Sequence, residues 1–272
     1  ALYFFAANAF GGYTADQQLR EIVLPLSPDY TGYGGVSLFP EALKAYKPTI
    51  DRGETPHSFK YRTEFSQLEV HRIADLATPH HVPVFVDSAY APPYPGLNFT
   101  EMRPIFRQNM VHCLSLSKAG LPGERIGIAL GDEAIIQVLQ SFQTNLCIHS
   151  SRYGQAIAAR AIASGALGSL AETVIRPYYR NKFAVLEDNL DKFMPATAPW
   201  YLHRGEGAIF AWLWFDQLPV SDRELYQQLK KYGVIVVPGD PFFPGLREDW
   251  PHTRQCIRIS LTATDAEIAQ GI

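Results

Sequence analysis

Apolar positions in this chain follow two rhythms that alternate along its length. Runs of consecutive apolar residues at 21–27, 82–87, 110–115 and 125–131 predict buried strands. Between and beyond them, apolar residues recur three and four positions apart over 68–80, 132–145 and 153–164, which predicts helices. The opening residues 1–10 share that spacing, with Leu2, Phe5, Ala6, Ala9 and Phe10 on one face. Strand and helix signals in alternation predict an α/β fold around a mainly parallel sheet, rather than an α+β one. Ligands of such a sheet sit beyond the carboxyl ends of its strands, where Asp87, Tyr90 and Ser115 to Lys118 fall.

Past residue 168 the pattern changes. Residues 169–194 form one long amphipathic stretch containing Pro177, which predicts a linking helix kinked at that proline. A smaller α/β layer follows, with strands at 208–215, 234–238 and 255–261. A helix at 221–232 is opened by Ser221 as N-cap, with Glu224 at the position that completes a capping box. The expected organisation is a large domain over 1–175 and a small C-terminal domain over 176–272.

Composition narrows the function classes. The chain has 272 residues, 47% hydrophobic and 19% charged, which describes a folded globular protein rather than a disordered tail. A net charge of -3 gives no electrostatic reason to expect nucleic acid or an anionic membrane as partner, so a small anionic ligand needs a locally built site. Cys113, Cys147 and Cys256 are few and far apart, which fits reduced thiols in the cytoplasm better than a disulfide framework. The histidines form no metal-binding grouping, and no phosphate-binding glycine loop or nucleophile elbow is present, so no metal site is expected.

The chemistry concentrates in Ser115-Leu116-Ser117-Lys118 and Gly123-Glu124-Arg125-Ile126-Gly127, together with Val84-Phe85-Val86-Asp87-Ser88-Ala89-Tyr90 upstream. A lysine, an aspartate, a tyrosine, hydroxyls and an arginine at one sheet edge make a set suited to pyridoxal phosphate (PLP). Lys118 can attach covalently to the cofactor aldehyde and later move a proton beside the substrate Cα. Asp87, emerging from a buried strand into a site poor in water, can pair with a pyridinium N–H; its alternative role is to cap the following segment. Ser115, Ser117 and Arg125 can hold a phosphate, with Arg125 as a bidentate donor between two glycines; its alternative is a surface strand position.

These motifs resemble fold-type I PLP-dependent aminotransferases. Leu116-Ser117-Lys118-Ala119-Gly120-Leu121-Pro122-Gly123, Gly205-Glu206-Gly207-Ala208-Ile209-Phe210, Val237-Pro238-Gly239-Asp240, Phe242-Phe243-Pro244-Gly245 and Trp250-Pro251-His252-Thr253 are similar to the valine–pyruvate branch of that family. The resemblance implies a mainly parallel seven-stranded sheet in the large domain and a homodimer. It also implies amino-group transfer between small neutral amino acids and 2-oxo acids, with valine and pyruvate foremost. It assigns Tyr90 to the cofactor 3′-oxygen, Tyr30 to the pyridine face with Tyr33 close by, and Arg258 to the substrate α-carboxylate. Two segments of the family pattern have no counterpart here: a Gly-Ser-Gln turn before Ala1, and an Asn-Pro-Thr-Gly loop near residues 65–69. A lyase or racemase on the same lysine, or a PLP-fold sensor without turnover, stays open as an alternative.

Overall fold

The computed structural model describes residues 1–53, 55–62 and 70–272. The first stretch holds α1 (Leu2–Phe10), β1 (Gly12–Tyr13), β2 (Leu19–Arg20), β3 (Ile22–Leu24), β4 (Leu43–Ala45), β5 (Thr49–Arg52) and β6 (Ser58–Arg62). Next come α2 (Val70–Ala77), β7 (Val84–Ser88), β8 (Met110–Ser115), β9 (Gly127–Gly131), α3 (Glu133–Cys147), α4 (Arg152–Ala163), α5 (Ala166–Leu170) and α6 (Arg176–Phe193). The last stretch holds β10 (Trp200–His203), β11 (Phe210–Phe215), α7 (Asp222–Lys231), β12 (Val237–Pro238), β13 (Cys256–Ser260) and α8 (Asp265–Gln270). The expected junction at residues 65–69 lies outside the described residues.

The chain forms two compact units. One comprises Ala1–Gly11, Ser66–Tyr178 and Glu206–Ala208. Its sheet has the order β7-β8-β9, with β7 parallel and β9 antiparallel to β8. β8 is buried from Met110 to Leu114. Phe5 and Ala6 of α1 pack with Val111, Cys113 and Leu139 of α3, so the apolar face read in residues 1–10 is the one that is buried. Helices α3 and α4 start where the sequence puts caps: Asp132 accepts from the Ala134 amide at 2.9 Å, and Ser151 from that of Gly154 at 3.2 Å. Gly207 pairs its backbone with Asn98 so closely that a Cβ would lie 2.8 Å from Leu97 O, and its φ of +153° favours glycine as well.

Among the described residues this sheet has three strands, not the seven expected. The expected kink at Pro177 also takes a different form. A π turn at Ala171–Ile175 joins α5 to α6 without a break, and Pro177, just after it, lacks the N–H that would continue the helical ladder there.

The other unit comprises Gly12–Phe65, Tyr179–Gly205 and Ile209–Ile272. Its mixed sheet runs β12-β13-β11-β10-β6-β5. One face carries Ala211, Leu213 and Ile257 into a core with Leu186 and Leu190 of α6 and Ile268 of α8. The opposite face is aromatic, with Phe59, Tyr61 and Trp214 around Cys256. Residues of β5 and β6 enter this unit through the parallel pairing of β6 with β10, Leu202 opposite Ser58. Helix α7 opens with the capping box read from sequence.

Candidate active site

Parallel pairing puts the carboxyl ends of β7 and β8 side by side, with Asp87 opposite Cys113 and Ser88 opposite Leu114. β9 runs the other way and pairs Gly127 with Ser115, so Arg125, two residues before Gly127, reaches the same edge. Lys118 follows β8 directly, in a one-turn 3-10 helix at Ser117–Ala119. Buried Leu116 and Ala119 anchor that turn on either side of the lysine. The Ala119 and Leu121 amides both donate to Leu116 O at 3.1 Å, and the Leu116 amide to Ile126 O at 3.1 Å. The lysine Nζ is thereby held 5.8 Å from the centre of the Tyr90 ring. The Ser117 amide donates to Ser115 Oγ at 3.4 Å, and Arg125 Nη1 donates to Ser117 Oγ and Pro122 O, each at 3.2 Å. Six of the expected site residues thus share one sheet edge: Asp87, Tyr90, Ser115, Ser117, Lys118 and Arg125.

Two expectations need correction. Asp87 does not emerge from a buried strand: it is exposed, and Val84, Phe85 and Val86 before it are only half-buried. Among the described residues β7 pairs with β8 alone, and an edge strand leaves its end open to water. The Asp87 carboxylate accepts from the Ala89 amide at 2.9 Å, so it caps the turn leading to Tyr90. Arg125 is not a strand residue either. It occupies the turn before β9 with φ of +55°, which aims its side chain back at Ser117.

Tyr30 and Arg258 lie in the other unit. Tyr30 is 58% exposed, whereas Tyr33, perpendicular to it at 5.6 Å, is buried. Arg258 projects from β13 on the face shared with Phe210 and Trp212 of β11, since Trp212 is its direct partner in the ladder. Its guanidinium lies 4.0 Å from the Phe210 ring centre and 5.0 Å from that of Phe242. Neither phenylalanine was singled out as a site residue from sequence, although both lie within the motifs quoted above.

The family model for aminotransferase class I and II matches residues 63–272. The chain belongs to that family. It is similar to the valine–pyruvate aminotransferase of Escherichia coli (strain K12), with 34% identity over 99% of this chain and 70% of the relative. That alignment extends over 298 positions against 272 residues here, so at least 26 of its positions have no residue in this chain. Many solved structures are similar as well. A putative amino-acid aminotransferase from Psychrobacter arcticum 273-4 superposes with a TM-score of 0.92 at 30% identity, covering 99% of this chain and 70% of that one. The valine–pyruvate aminotransferase from Salmonella typhimurium LT2 superposes with a TM-score of 0.88 at 31% identity, covering 99% and 73%.

PLP is the cofactor of this aminotransferase family, and the residues at the sheet edge fit it. Among the described residues, Arg125 is held by a hydroxyl and a carbonyl oxygen and pairs with no carboxylate, which leaves its charge for a phosphate. Lys118 and Asp87 offer an amine and a carboxylate of the kinds that an aldehyde and a ring nitrogen would take up.

Proposed function

We propose that this aminotransferase moves the amino group of valine to pyruvate, giving 3-methyl-2-oxobutanoate and alanine in two half-reactions. The observation that carries this reading is the meeting of Asp87, Tyr90, Ser115, Ser117, Lys118 and Arg125 at one sheet edge in a chain 34% identical to a valine–pyruvate aminotransferase. PLP, when bound, supplies the carbonyl that takes up the amine and the ring that accepts electrons from the substrate Cα. Lys118 would hold the cofactor through its aldehyde carbon and, as a free amine, would carry a proton from the substrate Cα to that carbon. Asp87 keeps a proton on the ring nitrogen. Tyr90 would donate to the ring oxygen, and Arg125, Ser115 and Ser117 would hold the phosphate. By the family resemblance Tyr30 would cover a ring face and Arg258 would take the α-carboxylate as a bidentate pair, orienting the Cα–H bond.

A homodimer is the form that the family resemblance implies, and three cysteines outside any disulfide support a cytoplasmic setting. Among the described residues no helix is long and apolar enough to cross a membrane. Incubation of the PLP-loaded protein with L-valine and pyruvate should yield alanine and 3-methyl-2-oxobutanoate in equal amounts. Loss of valine without alanine, or appearance of D-valine, would instead assign a lyase or racemase.

A further inference from the structure

Behind Arg258 lies a buried line of hydrogen bonds that the reaction as described does not use. Trp212 faces Arg258 across the β11–β13 ladder, and its ring meets Phe242 edge-on at 5.1 Å, the same Phe242 on which the guanidinium rests. The Trp212 indole N–H donates to Tyr61 Oη at 2.9 Å. The Tyr61 hydroxyl is hydrogen-bonded in turn to His252 Nε2 at 2.6 Å. The imidazole is buried and stacked on Trp250 with centroids 4.4 Å apart, so it cannot turn away. On the other side, the fully buried Asp222 accepts from the Asp240 amide at 2.8 Å and fixes the turn that carries Phe242.

We propose that Tyr61 is a positioning residue for Arg258, acting through Trp212 and Phe242. A flat ring in apolar surroundings is held only by packing, whereas a directional hydrogen bond selects one rotation of the indole. That rotation sets where Phe242 stands, and Phe242 with Phe210 sets the plane in which the guanidinium presents its donors. A bidentate pair depends on that plane, so a small tilt weakens carboxylate binding without touching Lys118. The inference rests on the reading that Arg258 binds the carboxylate.

The probe is 3-methylbutanoate, a carboxylate without an amine, titrated calorimetrically into the PLP-loaded protein alongside measurement of kcat and KM for L-valine. Tyr61→Phe and Trp212→Phe should each raise Kd and KM about tenfold with kcat little changed, and the double variant should do no worse than either single. Trp214→Phe is the packing control, because its indole belongs to the same aromatic cluster but donates to Gln255 Oε1 at 3.2 Å; its Kd should match the wild type. If Tyr61→Phe does not fold, Trp212→Phe carries the same test. Arg258→Lys separates the two readings. Wild-type binding in Arg258→Lys overturns the carboxylate role itself. Weak binding there with wild-type binding in Tyr61→Phe and Trp212→Phe overturns positioning alone, as does equal weakening in Trp214→Phe.

Discussion

At the scale of single residues, Lys118 shows how a side chain is made available by what surrounds it. Its neighbours Leu116 and Ala119 are buried and fix the turn, so the lysine between them has its amine beside Tyr90 and, among the described residues, in no ion pair. Lys182 is the contrast: its amine donates to Asp265 at 2.6 Å and to Ala263 O at 2.7 Å, and is committed. Borohydride reduction of the PLP-loaded protein should therefore label Lys118 alone in a peptide map, and label on Lys182 would defeat the assignment. Lys118→Ala should lower turnover by about three orders of magnitude or more, with PLP still held at Arg125. The lysine and arginine were legible because their motifs are contiguous. The exposure of Asp87 was not, since burial of a strand depends on its neighbours in the sheet, and those are set by residues far away in sequence.

The elements divide by the range of the forces that make them. Helices α3, α4 and α7 were readable almost to the residue because caps and periodicity act within four positions. In α7, Ser221 Oγ accepts from the Glu224 amide at 3.2 Å while the Glu224 carboxylate accepts from the Ser221 amide at 2.8 Å. Ser221→Ala removes the first bond and should cost about 1 kcal/mol in urea unfolding, with Ser221→Thr close to wild type. No loss in Ser221→Ala would mean that the helix end is held by tertiary packing alone. Strands β5, β6 and β10 went unread. β6 does alternate, Phe59 and Tyr61 inward against Lys60 and Arg62, and this period of two was the available signal. Its partner β10 lies more than a hundred residues on, and no local pattern names a partner at that distance. The three-stranded sheet beside α1 was hidden for a related reason: strand count follows from connections, which the apolar runs do not record.

For the molecule as a whole, the buried polar line around His252 couples folding to pH. Burial pushes the His252 imidazole down to a pKa of about 3, against an ordinary value near 6.5. The groups that face it stay neutral over the working range: burial raises the Tyr61 hydroxyl well above its usual value and raises the Cys256 thiol. No neighbouring charge therefore offsets the cost of protonating the imidazole. A depressed folded-state pKa means that the unfolded chain binds a proton which the folded chain refuses. The stability from this residue is complete above about pH 6.5 and is lost as pH falls from there toward 3, at about 1.4 kcal/mol per pH unit. Carboxylates add their own losses only nearer pH 4. Between pH 6.5 and 5 the wild type should lose about 2 kcal/mol more than His252→Gln, although the variant starts lower because the Tyr61 hydroxyl loses its imidazole partner. Urea unfolding across that range reads the difference directly. Parallel pH profiles for the two proteins would show that His252 takes up its proton in the folded state as easily as in the unfolded one.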